Sequence, residues 1–439
     1  MKFRFFEHFD LLLLIPAIIL ITIGVFFIYS SRIDSTGVLV SDEYIKQIIF
    51  GSTGLVLIFA FSLFDYRRFE RSSKYIFFAM LAVLVYTLFL GRKVNGARSW
   101  IGFGSAGLQP SELGKVVFIL FFASILQKTE QMSPLKRFIF LCIILACPMG
   151  LILLQPDLGT ASVYVPIFIA MCFVAGVPVR YLVIILATAL LTIVFTVLPS
   201  WEELILQRNI PILAVLREMK LRLIVIASVS LICLLSLLGN IFFNKRYFYW
   251  IAYVSGIIVL SLILSIAAGK VLKTYQMRRL IIFINPDIDP LDTGWNIIHS
   301  KIAIGSGNLF GQGFLKGTQS HLRYLPQQST DFIFSILSEE WGFVGGFAVF
   351  AMYLIILLRI AFIIKNTTNV YGYYIAAGIM FMFFYHFIVN VGMVMGIMPI
   401  TGIPLLFLSY GGSHLWTSMI SIGILMSINY RRLDFNTAF

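Results

Sequence analysis

Twelve apolar runs punctuate the chain, near residues 11–30, 47–64, 75–91, 114–127, 138–154, 160–177, 181–199, 223–243, 247–269, 331–361, 371–392 and 412–428. Each approaches the ~20 residues that an α-helix needs to cross a hydrocarbon core. The pattern predicts an all-α polytopic integral membrane protein, one transmembrane domain over 1–439. The first run has no small-residue cleavage site and is followed by many others, so it reads as a first membrane helix and not as a signal peptide. With the N-terminus inside, every inside loop is basic: Lys2 and Arg4, Arg67 to Lys74, Lys128 to Arg137, Arg180, Lys245 and Arg246, Arg359 and Lys365, Arg431 and Arg432. Short cytoplasmic loops carry such excess, so both termini are expected in the cytoplasm. The outside stretch 208–222 is basic too, which makes the helices at 223–269 the least regular pair.

Two polar segments exceed the usual loop length. Residues 91–115 are expected to form an outer re-entrant or interfacial loop, and 268–330 a large outer loop carrying most of the remaining polar chemistry. Composition narrows the class further: 59% hydrophobic, 12% charged, mean hydropathy +0.95. The net charge of +13 is dispersed between apolar runs, which suits the inside bias and anionic lipid better than nucleic acid. The cysteines at 142, 147, 172 and 233 lie inside apolar runs without ligand spacing, and no HExxH or GxSxG occurs.

The acids stand out against this background. In YLPQQSTDFIF, Thr330 suits a helix N-cap and the next helix is expected to begin at Asp331, whose carboxylate would face the positive helix end. That position serves equally as a cap or as a general base for a hydroxyl proton. Glu339 and Glu340 follow ~12–14 Å deeper along such a helix. Glu112 and Lys115 share a helix face, either as a local pair or as a buried network with Glu339 and Glu340. Asp157 stands at another helix start. Arg98, Arg278, Arg279, Lys301, Lys316 and Arg323 are cations for a pyrophosphate, with close backbone approach at glycines 305, 307, 311, 313 and 317. NPDIDP reads as a plain turn, and His386, with Asn390 one turn on, as a satisfied interior residue.

NGARSWIGFG, LQPSELGK, QPDLGT, GWNIIHSKIAIGSGNLFGQGFLKGTQSHLRYLP, TDFIFSILSEEWGFVG and NVGMVMGIMPITGIPLLFLSYGGS occur in this order over nearly the whole chain. Together they resemble the SEDS family (shape, elongation, division and sporulation), and the GTQSHLRYLP segment resembles its elongation branch more than its division branch. The resemblance implies a SEDS-type bundle of about ten core helices, with two more near 200–270. It also implies a peptidoglycan glycosyltransferase that polymerises lipid II on the outer face of the cytoplasmic membrane. Asp331 would be the catalytic acid. Glu112 and Lys115 would line and stabilise a cavity, with Asp157 near it and Glu339 and Glu340 on the helix after TDFIF. Arg98, Arg279, Lys316, Gln319, Ser320 and Arg323 are candidates for substrate or pyrophosphate.

The implied chemistry is inverting transfer. Asp331 deprotonates the GlcNAc 4-hydroxyl, the oxygen attacks C1 of MurNAc, and undecaprenyl pyrophosphate leaves, neutralised by loop cations or a divalent ion, Mg2+ or Mn2+. The implied partners are a class B penicillin-binding protein acting as transpeptidase, the nascent glycan strand, the elongation machinery and membrane lipid, with no nucleic acid. A lipid II flippase and a non-catalytic scaffold are the other readings. The chain departs from the family in the extra polypeptide and in QST before Asp331, where relatives often carry His beside the Thr.

Overall fold

The computed structural model describes residues 9–94, 97–102, 107–206, 210–211, 213–271, 274–284, 286, 290 and 293–432. The helices are α1 (Leu11–Ser30), α2 (Glu43–Leu63), α3 (Arg67–Leu90), α4 (Pro110–Lys128), α5 (Pro134–Leu154), α6 (Leu158–Val174), α7 (Val179–Trp201), α8 (Ala214–Arg217), α9 (Met219–Phe243), α10 (Arg246–Val271), α11 (Thr274–Ile284), α12 (Thr293–Ser306), α13 (Thr318–His321), α14 (Ile333–Asn366), α15 (Val370–Val394) and α16 (Gly412–Arg431). All twelve apolar runs are helical. Ten helices among the described residues are long and apolar enough to cross a membrane; α6 is shorter. α16 is richer in hydroxyls, but Thr417, Ser418 and Ser421 return theirs to the carbonyl four residues back, so these polar groups are satisfied without a partner helix. The chain is a multi-pass membrane protein.

Starts and stops follow local chemistry. Pro110 opens α4 with Glu112 in its first turn and Lys128 in its last, matching the helix dipole. Asp157 caps α6 through the Thr160 N–H at 3.0 Å, and Asn369 caps α15. The segment expected as an outer re-entrant loop is an antiparallel ribbon, β1 (Arg92–Val94) with β2 (Ala97–Trp100), followed by a bridge from Ile101 to Leu108.

Contacts divide the chain into two compact units, Met1–Gly176 with Trp295–Phe439, and Val177–Gly294. In the first, α4 and α15 are interior helices and α2 runs along α16 at small residues: a Cβ on Gly54 would meet Met419, and one on Gly423 the Ile58 carbonyl. In the second, α9 and α10 form a hairpin turned by Asn244 at φ +51°. Gly239 lies against Phe248, and α10 packs on α7, where the Tyr253 hydroxyl donates to the Arg180 carbonyl at 2.6 Å. The expected pair at 200–270 is this hairpin.

α14 contains the most consequential irregularity. Gly342 has φ +63°, and the helix breaks there, two residues after the second of the buried glutamates. The loop 307–313 fills the break. Gln312 and Gly313 donate N–H groups to the carbonyls of Glu339 (2.9 Å) and Glu340 (3.0 Å), while Phe343 and Val344 donate to Asn308 (2.9 Å) and Leu309 (3.1 Å). A Cβ on Gly342 would lie 2.3 Å from the Gly311 nitrogen, so only glycine fits.

Candidate functional site

Asp331 does not begin a helix. α14 starts at Ile333, Phe332 is its N-cap without a side-chain bond, and Asp331 occupies the preceding turn. Thr330 is not the cap either: its N–H and hydroxyl reach back to the Gln327 carbonyl, at 3.3 and 3.4 Å. Phe332 is 2% exposed and plugs the turn into the bundle, whereas Asp331 is half-buried.

Three successive carbonyls of this turn are held from one side. The Tyr410 N–H donates to Ser329 (2.8 Å), the Ser409 hydroxyl to Thr330 (2.6 Å) and the Asn390 amide to Asp331 (3.0 Å). On another side Arg32 grips Glu43 with Nε and Nη2 at 2.8 and 2.7 Å, and donates to the Ser329 hydroxyl at 2.9 Å, which in turn donates to Glu43 at 2.7 Å. The Gln328 amide donates to the Ser320 carbonyl at 3.0 Å.

The segment that does the holding is itself fixed from four helices. Gly24 of α1 lies against the Leu408 backbone, and Gln47 of α2 bonds the Ser409 carbonyl and the Gly411 N–H, both at 3.1 Å. The Tyr353 hydroxyl of α14 donates to the Leu406 carbonyl, and His386 of α15 meets the Pro404 carbonyl at 3.0 Å. Phe407, fully buried, adopts φ +68°, a conformation that costs about 1–3 kcal/mol for a side chain and persists only where surroundings enforce it. Burial and the nearby Glu43 raise the Tyr410 hydroxyl above its ordinary pKa.

Of the two arrangements open for Glu112 and Lys115, the local pair forms, and Glu339 and Glu340 make a separate arrangement. Lys115 Nζ lies 2.8 Å from Glu112 and 3.0 Å from His386 Nε2. Because the Pro404 carbonyl can only accept, His386 Nδ1 carries the proton and Nε2 accepts from Lys115. Asp157 accepts from Gln109 (2.7 Å) and from the Thr160 N–H and hydroxyl. Burial nevertheless raises its carboxyl above the ordinary value, the Thr160 bonds opposing and Glu112 adding to the shift.

Glu339 and Glu340 serve the loop instead. Glu339 accepts from the Thr318 hydroxyl (3.1 Å) and the N–H groups of Gln319 (2.7 Å) and Ser320 (3.2 Å). Glu340 accepts from the Ser30 hydroxyl and the Leu315 N–H (3.1 Å), with His321 Nε2 at 4.0 Å. The backbone amides closing on these carboxylates explain how two adjacent acids stay fully buried.

Arg98 reaches the Phe89 carbonyl at 3.4 Å from the ribbon, Lys316 and Arg323 are exposed, and Arg279 lies on α11 in the second unit. Ser320 is fully buried and donates to Gly317, while Gln319 accepts from His299 at 2.7 Å; both build the loop. The side chain of Arg278 lies outside the described residues. A cavity of about 420 Å³, lined by Ile304, Phe334, Ser338, Phe343, Phe347 and Phe350, is apolar and does not include Asp331; lacking polar convergence, it is not taken as the reaction site. Sequence reasoning passed over Arg32, Glu43, Gln47, Ser409 and the part played by Asn390.

A family described as cell cycle protein, comprising FtsW, RodA and SpoVE, matches residues 10–208 and 200–433. Peptidoglycan glycosyltransferase RodA of Treponema pallidum is 51% identical over 433 residues, 99% of this chain and 100% of that protein. Peptidoglycan glycosyltransferase MrdB of Escherichia coli is 30% identical, over 97% and 94% respectively. Among solved structures, a chain from a study of the coordination of polymerization and crosslinking by a peptidoglycan synthase complex shares this fold. Its TM-score is 0.68 at 24% identity, covering 97% of this chain and 98% of that one.

Proposed function

The chain belongs to the FtsW, RodA and SpoVE family of cell cycle proteins, and from that premise we propose how its Asp331 turn works. The protein is a peptidoglycan glycosyltransferase of the RodA kind. Its substrate is lipid II and its product a glycan strand, with undecaprenyl pyrophosphate released. Asp331 is the general base: it takes the proton of the GlcNAc 4-hydroxyl while that oxygen attacks C1 of the strand's MurNAc, with inversion and without a covalent intermediate. One observation carries this assignment: of the three acids between 331 and 340, Asp331 alone keeps surface access, on a main chain fixed at three consecutive carbonyls.

The departing pyrophosphate needs positive charge, and Lys316 and Arg323, exposed on the same outer loop, supply it. A divalent ion was the other expectation. Among the described residues no three His, Cys, Asp or Glu side chains converge, and no step is routed through an ion. The reaction takes place at the outer face of the cytoplasmic membrane, with both termini inside. A class B penicillin-binding protein acts beside it as transpeptidase.

Full-length protein given labelled lipid II with that partner tests the reading. Polymer forms, and disappears in Asp331→Ala while folding and partner binding persist; equal polymer from Asp331→Ala removes Asp331 as base. Translocation of lipid II in vesicles irrespective of Asp331, without polymer, is the flippase outcome.

A further inference from the structure

A general base must be held to within a fraction of an ångström, and the aspartate side chain is short, so the main chain of the turn sets its position. We propose that Asn390 is a positioning residue for Asp331, acting through the Asp331 carbonyl. This inference rests on the role proposed above for Asp331.

Asn390 lies in the apolar run of α15 and is fully buried. Its Nδ2 donates to two carbonyls, Asp331 at 3.0 Å and Ile403 at 2.8 Å. The orientation is dictated, since a flipped amide would set Oδ1 against two carbonyl oxygens. Oδ1 has no hydrogen-bond partner among the described residues. A buried amide with an unmet acceptor is costlier than a leucine of similar size, so the residue is accounted for by what its two hydrogens tie together: the turn bearing Asp331 and the 401–410 segment.

That segment holds the two preceding carbonyls as well, through Ser409 and Tyr410. With carbonyls 329, 330 and 331 all engaged, no peptide plane of the turn can rotate without losing a bond. Asn390 secures the last of the three, on Asp331 itself. Release of that carbonyl lets the carboxylate wander relative to the sugar while the substrate-binding surface stays in place, so the loss falls on turnover and not on binding.

The test uses the full-length protein with labelled lipid II. In Asn390→Leu, kcat falls by more than about 30-fold, KM stays within about twofold, and the acid limb of the kcat–pH profile moves by more than about half a pH unit because the base's surroundings change. Ser409→Ala, which frees the Thr330 carbonyl and also removes the acceptor of the Leu405 N–H, gives the same signature at smaller size. The double variant loses less than the product of the two, since both act on one turn. A folded Asn390→Leu with unchanged kcat, with its loss in KM, or with an unmoved acid limb overturns the proposal. If Asn390→Leu fails to fold, Ser409→Ala decides on the same criteria. Asp331→Ala run in parallel separates the failures: activity there sinks the base assignment, whereas its inactivity beside an unaffected Asn390→Leu sinks the positioning role alone.

Discussion

Asp331 and the Glu339–Glu340 pair lie within ten residues of each other and have opposite fates. The glutamates are fully buried and filled with donors from within the protein, three from the loop on Glu339, and one from the loop and one from Ser30 of α1 on Glu340. Asp331 is half-buried, and it is its carbonyl that the scaffold holds. Glu112 falls with the glutamates, although its partner is a cation and not a set of amides. The buried carboxylates are satisfied from within the protein, while the Asp331 turn is fastened at its backbone and keeps its side chain only half-buried.

The sharpest way to break this contrast is Asp331→Ala, for which polymerisation falls by about 10³-fold with an unchanged thermal midpoint; a large drop in midpoint would place Asp331 with the structural acids. Lys115→Ala comes next. It strands Glu112 in the interior and costs about 3–5 kcal/mol of stability, read by denaturation in detergent, and pairing Lys115→Met with Glu112→Gln recovers most of it. Glu339→Ala leaves three donors unmet and costs about 2–3 kcal/mol, but Glu339→Gln, which keeps an acceptor, costs about 1; protease sensitivity of 307–321 reports both.

The smallest effect concerns Asp157. Burial raises its folded pKa above the ordinary 3.8, so just above that value the native state holds a proton the unfolded chain has released. Stability therefore falls as pH rises through that window, and Asp157→Asn flattens the slope in a midpoint-versus-pH series.

The sequence made the membrane helices legible because each is a single long apolar run, a signal that needs no partner. It placed α14 within two residues of its start, but it could not show the break at Gly342, since the cause lies in glycines thirty residues upstream. The choice between a local Glu112–Lys115 pair, which forms, and a wider network was open for the same reason: Glu112 and Glu339 are both buried acids, and nothing local tells which will meet a lysine and which a row of amides. Asp331 stands out in the sequence through its motif. Asn390 and Ser409, embedded in apolar stretches, owe their part to carbonyls fifty-nine and seventy-nine residues away.

The loop inserted in the α14 break has a consequence for biogenesis. Residues 307–313 leave the ribosome before the carbonyls of Glu339 and Glu340 exist, and the turn at 329–331 precedes the α15 amide and the 409–410 donors that fasten it. A nascent chain can therefore thread its early helices into the bilayer, but the turn bearing Asp331 is not fastened until nearly all of its length has been made. A chain that stops before residue 390 lacks every donor by which α15 and the 401–410 segment fasten that turn.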